Sequence, residues 1–268
     1  MLLEFTKMEG CGNDYIYVDA DRFAIPDPAA LSVRLSDRHF GIGADGLVLI
    51  SRRGEACFSM RMFNADGSEG LMCGNAARCI GKYVFDKGLT DKLMVELQTR
   101  SGGRRLHLHP GADGLVDTVT VGMGNYRILA PALTLEAGGE QFTGVHVDVG
   151  NPHFVVFVPD ADSVELERIG PAIERHPLFP ERINAEFVSA CGDSSLRMRV
   201  WERGSGITKA CGTGACATAA AAVDKGLAGS PCTVLMDGGS LEVSCDATSH
   251  SLLMHGPART VFEGRAEV

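Results

Sequence analysis

Short runs in which apolar and polar residues alternate predict β-strands in both halves of the chain. Residues 57–63 (CFSMRMF) and 93–98 (LMVELQ) show this alternation, and residues 196–201 are strand-like as well. A period of two residues is typical of a strand with one buried face and one open face. These three segments are therefore predicted strands.

Four other stretches fit helices. They cover residues 28–38, 75–87, 163–175 and 213–225. Gly88 and Gly226 lie just past two of them, at the place where a glycine with left-handed backbone commonly ends a helix. Because predicted strands outnumber predicted helices, the expected fold class is α+β.

An internal repeat with one constant offset in residue number runs through the chain. Asp86-Lys87-Gly88-Leu89 recurs as Asp224-Lys225-Gly226-Leu227, Cys73-Gly74 recurs as Cys211-Gly212, and Gly12-Asn13 recurs as Gly150-Asn151. Each half also continues into two short strands around a glycine turn, at residues 101–103 and 238–240. Residues 100–110, which include the first glycine turn, are interpreted as a solvated hairpin. Three matches in one register predict two similar domains related by a pseudo-twofold axis, each presenting one Cys-Gly helix start to the cleft between them.

Composition narrows the function classes. A chain of 268 residues with 45% hydrophobic content can form one or two domains. The net charge is −9 and no run of Lys and Arg exceeds two residues, which argues against nucleic acid or an anionic membrane surface as a partner. Glu4 and Lys7 interrupt the apolar N-terminus, so no signal peptide is predicted. The expected protein is soluble and cytoplasmic.

The nine cysteines are not expected to form a fully paired disulfide framework or a structural metal site. Their number is odd, and no CxxC pair occurs. Zinc sites usually contain such close pairs, so no structural metal is predicted. Thiols in this number fit a reducing compartment.

Cys73 and Cys211 are the candidate reactive groups, because each is followed at once by a glycine and a predicted helix. The first N–H groups of a helix are unpaired and carry partial positive charge. They are expected to lower the pKa of a nearby thiol, and they can also bind a carboxylate. Two such helix ends predict a site that holds an amino acid's α-carboxylate with one sulfur on each face of Cα.

Inversion of a stereocentre requires removal of a proton from one face and return of a proton to the other. A thiolate base and an opposed thiol acid accomplish this within one site, and the helix ends stabilise the enolate-like carbanion electrostatically. Either Cys-Gly pair alone could be a simple helix cap with a buried cysteine. The duplicated register favours a catalytic role for both.

The sequence closely resembles the diaminopimelate epimerase family over nearly its whole length. The matching stretches are residues 7–14 (KMEGCGND), 37–46 (DRHFGIGADG), 63–69 (FNADGSE), 72–75 (MCGN), 150–153 (GNPH), 202–204 (ERG) and 210–214 (ACGTG). The resemblance implies two α/β domains, each a β-sheet wrapped around a central helix. It places the N-terminal half at residues 1–121 with 258–268 and the C-terminal half at residues 122–257, with the active site in the cleft. It also implies conversion of LL-diaminopimelate to the meso form, in lysine and peptidoglycan precursor synthesis, without pyridoxal phosphate or any other cofactor.

Residue roles follow from the resemblance position by position. Cys73 and Cys211 match the family's acid–base pair, and His153 and Glu202 match its supporting catalytic residues. The positions that match substrate-binding residues are Asn13, Asn64, Gly74, Asn75, Asn151, Asn184, Arg203, Gly212 and Thr213. The chain departs from the family's common pattern at Glu9, Cys11, Gly46 and Ala76. Glu9 and Cys11 flank the Asn13 loop and bear on substrate preference.

Three alternatives remain at this point. A two-cysteine racemase of another amino acid, such as histidine or proline, would leave Asn184 and Arg203 without a distal substrate group to bind. A cysteine hydrolase that pairs Cys73 with His153 leaves the second Cys-Gly block unexplained. A binding module without chemistry would not need both cysteines. The expected partner is a small amino-acid substrate, with neither nucleic acid nor a membrane, and a homodimer is left open.

Overall fold

The computed structural model describes residues 2–192 and 194–268, and the chain divides into two compact units. Unit 1 comprises Met1–Val121 and Gly256–Val268, and unit 2 comprises Gly122–His255. Many short strands and four helices make up the described residues. This composition confirms the α+β class.

Unit 1 is a mixed sheet with two helices. Its elements are β1 (Leu2–Gly10), β2 (Asn13–Asp19), α1 (Pro28–Ser36), β3 (Gly46–Arg52), β4 (Cys57–Asn64), β5 (Glu69–Gly70), α2 (Gly74–Asp86), β6 (Met94–Thr99), β7 (Gly102–Pro110), the first part of β8 (Val116–Asn125) and, from the C-terminus, β18 (Arg259–Glu267). Strands pair in the order β18-β1-β2-β3-β4-β6-β7-β8, and the short β5 pairs with β4. The pairs β2–β3 and β4–β6 are parallel, as expected for strands joined through a helix.

Unit 2 repeats this plan. Its elements are β9 (Arg127–Ala137), β10 (Glu140–Asp148), β11 (Pro152–Phe157), α3 (Leu166–Glu174), β12 (Asn184–Ala190), β13 (Ser195–Glu202), β14 (Gly206–Ile207), α4 (Gly212–Asp224), β15 (Cys232–Met236), β16 (Gly239–Cys245) and β17 (Ser251–Pro257). Strands pair in the order β9-β10-β11-β12-β13-β15-β16-β17, with β14 against β13. The parallel pairs are now β11–β12 and β13–β15.

The sequence repeat extends to element bounds. Shifting the bounds of α1, α2, β1, β3 and β4 by the offset that relates Cys73 to Cys211 gives those of α3, α4, β10, β12 and β13. The parallel register repeats as well, with Tyr15 opposite Gly46 and His153 opposite Asn184. The offset is one residue shorter at the hairpins β6–β7 and β15–β16, where Thr99 pairs with Gly102 and Met236 pairs with Gly239. The two units are therefore copies of one architecture.

A buried helix lies at the centre of each unit. Every residue of α2 from Gly74 to Val84 is buried. The other central helix, α4, contains six alanines among its 13 residues, and ten of the 13 are buried. A helix that is buried on all sides is a core helix, and small side chains let strands approach it closely. In each unit, the Cys-Gly pair lies at the N-terminus of the core helix.

The predicted elements match closely where caps are clear. The three predicted strands are confirmed to within one residue at each end, and so are the helices at 75–87 and 213–225. Gly88 and Gly226 both have φ of +67°, which confirms the left-handed C-terminal glycines.

Two predicted helices were too long. The segment before α3 is held in turns, with Ser163 Oγ donating to the Asp160 carbonyl, so that helix begins at Leu166. At the end of α1, the Asp37 backbone leaves the helical region and its carboxylate accepts from His39 N–H and Phe40 N–H.

The interpretation of residues 100–110 as a solvated hairpin was wrong in part. Residues 102–110 form β7, in which Leu106 and Leu108 are buried and His107 between them is exposed. No helix in the described part of the chain is long and apolar enough to cross a membrane.

Candidate active site

Cys73 is the N-cap residue of α2. Its sulfur accepts from the N–H of Ala76 at 3.5 Å, and its carbonyl accepts from the N–H of Ala77 at 2.9 Å. These two bonds account for the third and fourth leading N–H groups of the helix. The N–H groups of Gly74 and Asn75 lie ahead of them, at the positive end of the helix dipole. The arrangement places two backbone donors beside a partly buried thiol.

Asn13 connects this thiol to a network of charged groups. Its amide oxygen accepts from Cys73 Sγ at 3.5 Å and from Asn75 Nδ2 at 3.3 Å. Its amide nitrogen donates to Asp45 Oδ2 at 2.7 Å, and the N–H of Asp14 donates to the same oxygen. A carboxylate only accepts, so Asp45 fixes which way the amide points. Three of the predicted residues, Asn13, Cys73 and Asn75, thus lie in direct contact.

Asp14 and Asp45 form a charged pair behind Asn13. Burial acts to raise the pKa of Asp14, but hydrogen bonds from Arg38 and Lys7 outweigh it and hold that pKa low. Burial and the nearby charge of Asp14 raise the pKa of Asp45 instead. Arg38 contacts both carboxylates, at 2.9 Å and 3.0 Å. The cluster supports the Asn13 loop from one side.

Asn64 lies at the end of β4 and is engaged locally. Its amide donates to Ser68 Oγ at 2.9 Å, and its carbonyl accepts from Ser32 Oγ at 2.8 Å. These bonds hold the turn at residues 64–68. They do not join Asn64 to Cys73, so its predicted substrate role stays a prediction.

Cys211 caps α4 in the same way as Cys73 caps α2. Its sulfur accepts from the N–H of Gly214 at 3.3 Å and lies 3.5 Å from Thr213 Oγ1, while Ala215 N–H donates to its carbonyl. The N–H groups of Gly212 and Thr213 again lead the helix. Unlike Cys73, Cys211 is almost fully buried.

The expectation that the helix end lowers the pKa of this thiol was wrong for Cys211. Burial, together with the negative charges of Glu202 and Glu186, raises its pKa well above the ordinary value. Hydrogen bonds from Thr213 and the Gly214 N–H act in the opposite direction but are weaker. In this environment Cys211 is a protonated thiol near neutral pH.

Glu202 is the carboxylate in contact with Cys211. It accepts a hydrogen bond from Thr208 Oγ1 and another from the Cys211 thiol. Burial raises its pKa, although both hydrogen bonds oppose that change. In unit 1, the equivalent position of the repeat is Asn64, which carries no charge.

His153 is fully buried and both ring nitrogens are engaged. Nδ1 lies 2.6 Å from Glu186 Oε1, and Nε2 lies 3.1 Å from Asn151 Oδ1. The Asn151 amide nitrogen lies 3.5 Å from Thr213 Oγ1, which in turn lies 3.5 Å from Cys211 Sγ. A continuous set of polar contacts therefore runs from Glu186 through His153, Asn151 and Thr213 to the Cys211 thiol.

Asn184 and Arg203 form a second contact pair in unit 2. The Asn184 amide donates to the Pro152 carbonyl at 3.0 Å and accepts from the Arg203 N–H at 2.9 Å. The exposed Arg203 guanidinium donates to the Glu181 carbonyl at 2.9 Å. Asn184 therefore ties the Arg203 backbone to the residue that precedes His153.

Glu186 and Asp45 were missed as site residues. Glu186 lies in β12, in which every residue but the last is buried. A single carboxylate within such a strand could have marked Glu186 as a candidate site residue. Asp45 lay within a stretch matched to the family, but its contact with Asn13 depends on folding. Among the described residues, no group of three or more His, Cys, Asp or Glu side chains is arranged to hold a metal ion.

Solved structures with this architecture define its fold class. One is a Bacillus anthracis phenazine biosynthesis protein of the PhzF family, with a TM-score of 0.74, 16% identity and coverage of 100% of both chains. Another is a probable proline racemase from Agrobacterium radiobacter K84, with a TM-score of 0.72, 16% identity and coverage of 99% of this chain and 92% of the other. At this identity the likeness establishes the fold alone.

Sequence relatives are much nearer. The family model for diaminopimelate epimerase matches residues 5–129 and 145–261. The chain is 53% identical to a diaminopimelate epimerase of Phocaeicola vulgatus over 277 residues, covering 99% of each chain. It is 51% identical to that of Bacteroides thetaiotaomicron, covering 99% of this chain and 98% of the relative. The chain belongs to the diaminopimelate epimerase family.

Proposed function

We propose that this chain interconverts LL-2,6-diaminopimelate and meso-2,6-diaminopimelate by a two-base mechanism that uses Cys73 and Cys211 and no cofactor. The observation that carries the proposal is the pair of cysteine-capped core helices, one in each unit, at equivalent positions of the repeat. Membership of the diaminopimelate epimerase family supplies the substrate.

The substrate carboxylate is proposed to bind the leading backbone N–H groups. Gly74 and Asn75 offer them at one helix, and Gly212 and Thr213 offer them at the other. Loss of the α proton moves negative charge onto this carboxylate. Donors already fixed in place stabilise that charge without reorganisation.

The two thiols are proposed to divide the proton transfers. Cys211 is held as a thiol by burial and by two carboxylates, so it is the group that supplies a proton. The unit 1 positions equivalent to Glu202 and Glu186 are Asn64 and Val48, which are uncharged. A Cys73 thiolate meets no repulsion from those positions and is the proposed base. The reverse reaction exchanges the two roles.

The distal end of the substrate is assigned to Asn184 and Arg203. A guanidinium binds a carboxylate through two parallel hydrogen bonds. The exposed Arg203 side chain presents such a fork, and Asn184 fixes its backbone. This assignment distinguishes diaminopimelate from histidine or proline, which have no distal carboxylate.

The cysteine hydrolase alternative has lost its support. Both ring nitrogens of His153 are engaged, with Glu186 and with Asn151, within unit 2. No ring nitrogen is left to activate Cys73.

We also retain the proposal of a cytoplasmic location, because nine thiols suit a reducing compartment.

A direct assay tests the function. Purified protein is incubated with LL-diaminopimelate, L-histidine or L-proline, and products are separated by chiral chromatography. Meso-diaminopimelate should form, and the other two substrates should remain unchanged. Racemisation of histidine or proline in place of diaminopimelate would overturn the substrate assignment.

A further inference from the structure

Besides raising the pKa of the Cys211 thiol, the buried carboxylate of Glu186 contacts His153 and lies against the first turn of α4. It is fully buried in β12 and its Oε1 lies 2.6 Å from His153 Nδ1. Among the described residues its second oxygen, Oε2, has no hydrogen-bond partner. Nearly all the compensation for this buried carboxylate therefore comes from His153, which makes the contact specific.

The positions of the protons on Glu186 and His153 follow from the groups to which they are hydrogen-bonded. With the Asn151 amide oriented so that its oxygen faces His153, Nε2 must carry a proton and donate it. Nδ1 and Glu186 Oε1 then share one further proton along their hydrogen bond. Glu186 thus fixes the orientation of the His153 ring and the nitrogen that the ring turns toward Asn151.

Glu186 also packs against the first turn of α4. A Cβ built on Gly214 would lie 2.9 Å from Glu186 Oε1, a distance that real Cβ atoms do not show. It would lie 3.2 Å from Cys211 Sγ as well, but α2 carries Ala76 at the equivalent place behind its own capping cysteine. The Glu186 carboxylate therefore restricts this position more than the cysteine does, because its contact with His153 holds the oxygen in place.

The other half of the chain provides an internal comparison. The unit 1 positions equivalent to His153, Glu186 and Gly214 in the repeat are Tyr15, Val48 and Ala76. All three residue types differ together between the halves, while the capping cysteine and the register stay the same. A carboxylate, an imidazole and a glycine form one set in unit 2, and unit 1 folds on the same plan without them.

From this geometry we infer that Glu186 is a positioning residue of the Cys211 half of the active site. It holds the imidazole of His153 and the first turn of α4, and through Asn151 and Thr213 it fixes the surroundings of the Cys211 thiol. The inference rests on the proposed function and adds a residue to it.

Glu186→Gln is the test variant, because it keeps the shape of the side chain and an acceptor oxygen but removes the charge. A charge-assisted hydrogen bond becomes an ordinary one, and His153 is held less firmly. Misplacement of a catalytic group can lower kcat by about 100-fold. We expect a kcat loss of about 10- to 100-fold on diaminopimelate with KM within about twofold, since Glu186 is not among the proposed substrate contacts. Glu242→Gln, the same change at an exposed site in β16, is the matched control.

A spectroscopic measurement accompanies the kinetics. In protein labelled with ¹⁵N-histidine, the short Nδ1 hydrogen bond should give a strongly downfield N–H resonance, assigned by its loss in His153→Phe. Glu186→Gln should move that resonance upfield, whereas Glu242→Gln should leave it in place. A Glu186→Gln variant with wild-type kcat, or with lost activity and an unmoved His153 resonance, would overturn the inference. Inactivity of the wild-type protein would instead count against the proposed function.

A double-variant cycle keeps the inference testable if Glu186→Gln does not fold. Gly214→Ala should lower the Tm markedly in the wild-type background and much less in the Glu186→Val background, where the clash is absent. Equal Tm losses in both backgrounds would contradict the packing on which the inference depends.

Discussion

Removal of the His153 ring should expose the cost of the buried Glu186 carboxylate. In His153→Phe the carboxylate loses its partner, with Oε2 already unsatisfied among the described residues. The ring itself should be accommodated, because Tyr15 occupies the equivalent buried position in unit 1. The variant must then hold either an unpaired buried charge or a protonated carboxyl group.

Protonation of the Glu186 carboxyl group sets the size of the expected loss of stability. An ordinary glutamate ionises with a pKa near 4.3, and each pH unit is worth about 1.36 kcal/mol, so a carboxyl kept protonated at pH 7 costs about 3.7 kcal/mol. At pH 5 the same cost is about 1 kcal/mol, because the unfolded chain is then partly protonated as well. A folded state that binds more protons than the unfolded state loses stability as pH rises. The deficit of the variant should therefore grow from pH 5 to pH 7.

Thermal unfolding at the two pH values measures this directly. We expect the Tm of His153→Phe to fall on the order of 10 °C at pH 7 relative to wild type, and by only a few degrees at pH 5. His153→Phe/Glu186→Val should recover most of the loss at pH 7. A deficit that is equal at both pH values, and that Glu186→Val does not relieve, would refute the claim that His153 compensates this carboxylate.

Three further predictions address the two thiols and the distal contacts. Cys211 should react slowly with iodoacetamide at neutral pH, and Glu202→Gln should accelerate that reaction, because loss of one nearby negative charge lowers the pKa of the thiol; peptide mapping that shows no acceleration would argue against this electrostatic coupling. Arg203→Lys should lower kcat/KM on diaminopimelate, because the substrate carboxylate loses its bidentate partner and transition-state binding weakens by about 2–4 kcal/mol. An unchanged kcat/KM would mean that Arg203 does not bind the substrate. Asp45→Ala should reduce kcat by about 10-fold or more, because the Asn13 amide is then no longer oriented toward Cys73. Asp113→Ala, in an exposed turn far along the chain, serves as a control, and equal activities for the two variants would exclude the positioning role of Asp45.

The repeat accounts for how much of the fold was predictable. Because the same phrases recur at one constant offset, the starts and ends of the two core helices could be placed to within one residue, with the glycine that follows each of them. The bounds of α1 and α3 were less accurate. Their ends are decided by local side-chain bonds, such as the one from Ser163 to Asp160, which periodicity does not reveal.

The positions of Cys73 and Cys211 at the starts of the two core helices were predictable from the sequence, but the electrostatics around Cys211 were not. The sequence shows only the groups adjacent to each cysteine along the chain. Glu202 and Glu186 reach Cys211 from two different strands, and their charges reverse the expected direction of its pKa change. Asp45 likewise contacts Asn13 only because the parallel strands β2 and β3 lie side by side. Effects that depend on strands distant in sequence could not be derived before the fold was known.

Hydrogen isotope exchange tests the two-thiol mechanism most directly. The protein is incubated with LL-diaminopimelate in D₂O, and samples taken within the first few per cent of conversion are analysed by mass spectrometry and NMR. If one group removes the α proton and a different group supplies the new one, early meso product carries deuterium at Cα while the recovered LL substrate remains protiated. Equal early labelling of substrate and product would show that a single group does both, and would contradict the assignment of Cys73 and Cys211 as a base and an acid acting together.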